Sequence, residues 1–214
     1  MPFSFPENEK GGAFLKGDNM KIIIIQGMTC LGKTTLGEQL EKDLPNCKYF
    51  SLDEYKENMW DKFGFDSVEE REKLSNIARK LFYKDITDTV VKSTYDYILV
   101  DYVFSEKYWS ELSEYISKWS LPTKTVYLKT DNLELHKRIW QKRSRFPSLR
   151  HAGHGATHYH DGVGNNYVNT YESKIFLDLP TIGDTLLVDI SFAPYSRSKS
   201  YDTIFDFIKE QYND

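Results

Sequence analysis

Residues 27 to 34 read Gly-Met-Thr-Cys-Leu-Gly-Lys-Thr, two glycines with four residues between them followed by a cation and a hydroxyl. Residue types at this spacing support the binding of a nucleoside triphosphate. Glycine at positions 27 and 32 allows backbone geometry that a Cβ would hinder, so successive N–H groups can point at phosphate oxygens. The residues predicted to hold the phosphates are Gly27, Met28, Thr29, Cys30, Leu31, Gly32, Lys33, Thr34 and Thr35. Lys33 is placed to reach the β- and γ-phosphates, and the Thr34 hydroxyl to sit on Mg²⁺. Cys30 falls among N–H groups that favour a thiolate, although ordinary packing explains it better.

Two acids extend this chemistry. Asp101 closes the apolar run Tyr97-Ile98-Leu99-Val100 and is expected to hold the Mg²⁺ water shell or the substrate, the plainer alternative being an aspartate that opens a loop. Asp53 follows a short apolar stretch and faces the same crevice. It is read either as an acid that accepts a substrate hydroxyl proton or orients the substrate, or as the N-cap of a helix starting at Glu54. Four of the five histidines, His151, His154, His158 and His160, fall within ten residues. Three readings stay open for them: a metal-stabilised lid, a lining with Arg150 for an anionic or hydroxylated acceptor, or a solvated glycine-rich loop.

These groups need a frame, and hydrophobic periodicity supplies one. The apolar run Lys21 to Gln26 reads as a buried strand and Lys33 to Leu44 as a helix, the strand–loop–helix setting that brings a helix N-terminus to an anion. Further along, Cys47 to Leu52, Tyr97 to Asp101, Lys124 to Lys129 and Thr185 to Ile190 read as strands. Ser67 to Thr94 reads as a long helix with room for a break, and Ser105 to Trp119, Leu133 to Arg143 and Lys199 to Tyr212 as helices. Strands alternating with helices imply a five-stranded parallel sheet with helices on both faces and a crevice at the strand C-termini. Residues 1 to 20 read as an N-terminal arm and 21 to 214 as one domain. Ser144 to Asn166 lacks an apolar period and reads as a mobile lid insertion without regular structure.

With these motifs in place, the chain resembles P-loop kinases of the adenylate-kinase-like group, over roughly residues 20 to 212. The resemblance is carried by the P-loop and by Val126-Tyr127-Leu128-Lys129-Thr130-Asp131 followed by Arg138-Ile139-Trp140-Gln141-Lys142-Arg143. It implies a three-layer α/β fold, ATP and Mg²⁺ as cofactors, and transfer of the γ-phosphoryl group to a hydroxyl. It also implies that Arg138 lies at the nucleotide base and that Lys142, Arg143 or Arg145 stand beside the phosphates. The catalytic set is then Lys33, Asp53, Arg138 and Arg143, with Lys142 a further nucleotide contact. The alternative for the cations is that they solvate a helix C-terminus and complement its dipole.

The net charge of −4 in 214 residues opposes an extended duplex-binding face, because phosphate-backbone affinity rests on many Lys and Arg contacts. Two cysteines and the lack of a long apolar run point to a reducing, cytoplasmic setting away from the membrane. The acceptor is expected to be a small molecule. A polynucleotide 5′-hydroxyl end is an alternative, as is a P-loop ATPase or regulatory NTPase. A guanine-specific switch is disfavoured: Leu128-Lys129-Thr130-Asp131 lacks the leading Asn of that signature.

Overall fold

The computed structural model describes residues 20–92, 94–101, 106–145, 151–167, 180–190 and 199–210. Almost all of the expected N-terminal arm therefore lies outside the described residues. In chain order the elements are β1 (Lys21–Gly27), α1 (Lys33–Asp43), β2 (Cys47–Ser51), α2 (Leu52–Phe63), α3 (Val68–Lys92), β3 (Tyr97–Asp101) and α4 (Glu106–Trp119). They continue with β4 (Thr123–Lys129), α5 (Leu133–Arg145), β5 (His158–His160), β6 (Val163–Asn165), β7 (Asp184–Asp189) and α6 (Lys199–Lys209).

Five strands form one parallel sheet in the order β2-β3-β1-β4-β7. The four isoleucines of β1 occupy its centre and are buried on both faces, as a strand covered by helices on each side requires. Ile22 and Ile24 pack with Leu52 of α2, Phe82 and Ile86 of α3, and Leu112 and Ile116 of α4. Ile23 and Ile25 face the opposite layer, against Leu36 and Leu40 of α1 and Ile204 and Ile208 of α6. The three-layer arrangement expected from the alternating pattern is the one observed. No described helix is long and apolar enough to cross a membrane.

Three stretches differ from expectation. Residues 52–63 are a full helix, yet they bury just Leu52 and Trp60, too few positions to write an apolar stripe. The long helix α3 runs from Val68 to Lys92 without a break. Within the segment expected to be irregular, α5 persists to Arg145, and His158–His160 pairs antiparallel with Val163–Asn165. A turn at Asp161 and Gly162, both at positive φ, closes this hairpin. That Asp-Gly pair was the legible hairpin signal; the strands, three residues each with Tyr159 as the sole buried position, are too short to show a period.

The hairpin does not stand free. Phe65 and Tyr159 exchange two backbone hydrogen bonds of 2.8 Å each, and their rings join Trp60 and Ala156 in a small satellite core.

Candidate functional site

β1 ends at the centre of the sheet, and its last residue begins the loop to α1. Gly27 has φ of 134°, and a Cβ there would lie 2.1 Å from the carbonyl oxygen of Leu128 on β4, so no other residue fits. Gly32, the N-cap of α1, sits in the left-handed region at φ 84°. Between them, Met28 and Leu31 turn their side chains into the core, so they can offer a ligand only backbone groups. Thr29, Cys30, Gly32, Lys33, Thr34 and Thr35 line a cleft of about 960 Å³. The Thr29 hydroxyl is buried with no partner among the described residues.

Asp101 ends β3 beside this loop and accepts two hydrogen bonds on one carboxylate oxygen, from the Thr34 hydroxyl at 3.2 Å and the Tyr49 hydroxyl at 3.0 Å. Burial raises the affinity of Asp101 for its proton and the charge of Asp53 adds to this, while Lys33 and the two hydroxyls oppose it; the net shift is upward. Tyr49 could not be found from the sequence. It reaches Asp101 because residue 37 is glycine, where a Cβ would meet the Tyr49 ring at 2.3 Å. The paired Thr34 and Asp101 oxygens, the exposed N–H face of the loop, and a lysine that now donates to its own loop at the Met28 carbonyl (3.1 Å) suit Mg²⁺ with a triphosphate.

His136, the fifth histidine, is a second residue the sequence did not reveal. It is fully buried on α5, and its Nε2 donates to the Thr29 carbonyl at 2.7 Å, tying the helix to the loop. Burial lowers its pKa and Lys33 adds to that, while the carbonyl opposes it. Asn132 fixes the start of α5, accepting from the Leu135 N–H at 3.0 Å. The same helix gives Ile139, Trp140, Lys142 and Arg143 to the cleft. Arg138 is exposed and outside that lining. It lies one turn before Lys142 on the same helix. The side chain of Arg145, and all of Arg150, lie outside the described residues.

The opposite wall is α2. Asp53 is inside its first turn, and the N-cap is Ser51, so the capping alternative for Asp53 does not hold. Its carboxylate meets Lys56 at 3.0 Å. Burial alone would push the Asp53 carboxyl upward, but Lys56, His154 and Lys33 outweigh it and hold it near 2. Glu54, Lys56 and Glu57 extend the wall.

The histidine segment lies along this helix, each imidazole against a carboxylate. His151 Nε2 is 2.8 Å from Asp61, His154 Nε2 is 2.7 Å from Glu57, and His158 Nδ1 and His160 Nε2 are 2.8 and 2.9 Å from Asp66. The Tyr159 hydroxyl also donates to Asp61. His154 reaches the cleft; His151, His158 and His160 are not among its lining. Of the four, His154 is the one whose position is compatible with the acceptor-lining reading. The solvated-loop reading does not hold, because the segment is seated on α2.

A phosphate loop at the tip of the central strand, an acid ending the neighbouring strand and a helix that brings Lys142 and Arg143 to the cleft define the P-loop kinase fold. A family model described as an AAA domain matches residues 22–152, more than half of the chain, and the chain belongs to that family. No curated protein matches it. Among solved structures, a protein from Chloroflexus aurantiacus J-10-fl provisionally assigned as a kinase is similar in fold, with a TM-score of 0.65 at 18% identity over 89% of this chain and 97% of that one. A gluconokinase from Sinorhizobium meliloti 1021 aligns at a TM-score of 0.45 and 15% identity, over 82% of this chain and 85% of that one, too weak a likeness to inform the site.

Proposed function

We propose that the chain is a phosphotransferase that moves the γ-phosphoryl group of ATP to a hydroxyl of a small-molecule acceptor. The observation that supports this best is the second wall of the cleft. Hydrolysis alone needs the phosphate loop and a water, whereas here Asp53, Lys56, Glu57 and His154 line the same cleft as the loop and give it a second polar wall.

Lys33, with Lys142 and Arg143 from α5, supplies the positioned cations that spread phosphoryl charge requires. Thr34 and Asp101 would hold Mg²⁺, which when bound neutralises charge between the phosphates. Asp53 stays ionised across the physiological range and accepts a hydrogen bond from the acceptor hydroxyl, aiming its oxygen at the γ-phosphorus. As the new O–P bond forms and the bond to the β–γ bridging oxygen breaks, the hydroxyl becomes acidic and its proton passes to Asp53. A carboxylate held near 2 is too weak a base to remove it earlier.

Among the described residues the lining carries five carboxylates, Glu38, Asp53, Glu54, Glu57 and Asp101, against four cations, Lys33, Lys56, Lys142 and Arg143. Three of the five acids lie on α2, which opposes a polyanionic strand there and suits a neutral or cationic hydroxyl-bearing molecule. The test is ATP consumption with Mg²⁺ across nucleosides, sugars, hydroxy acids, aminoglycosides and 5′-hydroxyl oligonucleotides, each against the rate without acceptor. One small-molecule class should stimulate strongly, and Asp53→Asn should abolish that stimulation. An equal rate with and without every acceptor would overturn the proposal.

A further inference from the structure

The outer face of the hairpin presents three donor atoms that the cleft does not use. We propose that Asp66, His158 and His160 bind a divalent transition-metal ion of the zinc class, which pins the β5–β6 hairpin to the turn between α2 and α3. The three donors, His158 Nδ1, His160 Nε2 and Asp66 Oδ1, lie within 4.8 Å of one another. Ligand bonds to zinc are about 2.0–2.2 Å, so for an ion to enter, the two rings, now 2.8 and 2.9 Å from the carboxylate oxygen, must draw apart from it. Two imidazoles with one carboxylate suit zinc and its neighbours, whereas Mg²⁺ prefers oxygen ligands throughout.

Backbone pairing builds this convergence. The Phe65–Tyr159 bridge turns those two rings inward. Strand alternation then places Asp66, His158 and His160, their chain neighbours, together on the outward face. The His160 ring leans over Gly64, where a Cβ would lie 2.2 Å from Nδ1, so a side chain at position 64 would displace the ligand. Asp66 is held by its own N–H, which donates to Glu70 Oε2 at 2.8 Å, while the Glu70 N–H donates to Ser67 Oγ at 3.1 Å. The histidine side chains are 42% and 43% exposed and that of Asp66 66%, which leaves an entry path and room for water ligands.

One carboxylate oxygen serves both rings, and a metal would replace the two ring protons now directed at it. The ion would fix the segment that carries His154 to the acceptor wall, without touching the phosphate loop.

The experiment takes the full chain, stripped with a chelator that is then removed, and titrates it with Zn²⁺ by calorimetry and with Co²⁺ by visible absorption. One ion per chain is expected, with Co²⁺ bands of mixed nitrogen and oxygen coordination. His158→Gln and His160→Gln should each weaken binding by at least about 10-fold, and His151→Gln should leave it unchanged. Proteolysis within residues 151–167 should slow with Zn²⁺ in the wild type and not in the two ligand variants. Absence of stoichiometric binding to the wild-type chain would overturn the proposal whatever the variants do. Binding that survives in a folded His158→Gln/His160→Gln double variant would overturn it equally.

Discussion

The P-loop wall is the rim of a five-stranded sheet, backed on both faces by cores that run through the whole domain. The α2 wall rests on a satellite core of Trp60, Phe65, Ala156 and Tyr159. Hydrogen bonds between residues 85 to 98 positions apart, three of them between side chains and one from Arg71 to the Ala156 carbonyl, complete it. The first wall draws its order from the fold. The second must be assembled from distant segments, and under the proposed function each pair in it links acceptor recognition to local stability. Regions with few buried apolar contacts open at lower free energy than the core, so the two walls should fail separately.

The largest separation should come from Trp60→Ala. Removing that ring from the satellite core should cost about 3–5 kcal/mol, expressed locally as faster proteolysis within residues 151–167 and loss of acceptor-dependent turnover. Nucleotide affinity, measured by fluorescence titration, should survive. Equal loss of both functions would erase the distinction between the walls. Lys33→Ala tests the converse: it should lower turnover by about 10²–10³-fold while the proteolytic pattern of residues 151–167 stays that of the wild type.

His154→Gln probes the one histidine that lines the cleft. The loss of a hydrogen bond to a charged partner should raise the acceptor KM by about 10-fold and leave the KM for ATP unchanged; a change in both would place His154 on the nucleotide side. The smallest effect concerns His136 and the loop it holds. Its pKa is lowered in the folded chain, so below the unfolded value of about 6.5 the unfolded chain takes up more protons than the folded one. The stability that His136 gives is therefore complete above about pH 6.5 and declines as pH falls toward the folded value. Thermal melts of His136→Gln should show a shallower loss between pH 7 and 5 than the wild type.

The same contrast governs what the sequence could reveal. The P-loop, Asp101 and the five sheet strands were legible because their signals are local: a glycine spacing, an apolar run, an acid at a strand end. Tyr49 and His136 were not, since what matters is their contact with Asp101 and with the Thr29 carbonyl, and neither contact leaves a mark on neighbouring residues. Helix α2 was legible only as the capping alternative at Asp53, its extent unread, because it buries two residues in twelve. The histidines stood out by number, but their partners Glu57, Asp61 and Asp66 form an ordinary-looking acidic scatter until the chain brings the two segments together. Arg138, placed by resemblance alone, is exposed on α5 and is not among the residues that line the cleft.

The most direct test of the two-walled account is the fate of the phosphoryl group. Phosphorus NMR of a reaction containing Mg²⁺–ATP and the most stimulating acceptor should show ADP and a phosphomonoester of that acceptor in equal amounts, and neither with Asp53→Asn. ADP accompanied by free inorganic phosphate alone, at the same rate with and without acceptor, would contradict the account and leave the chain an NTPase.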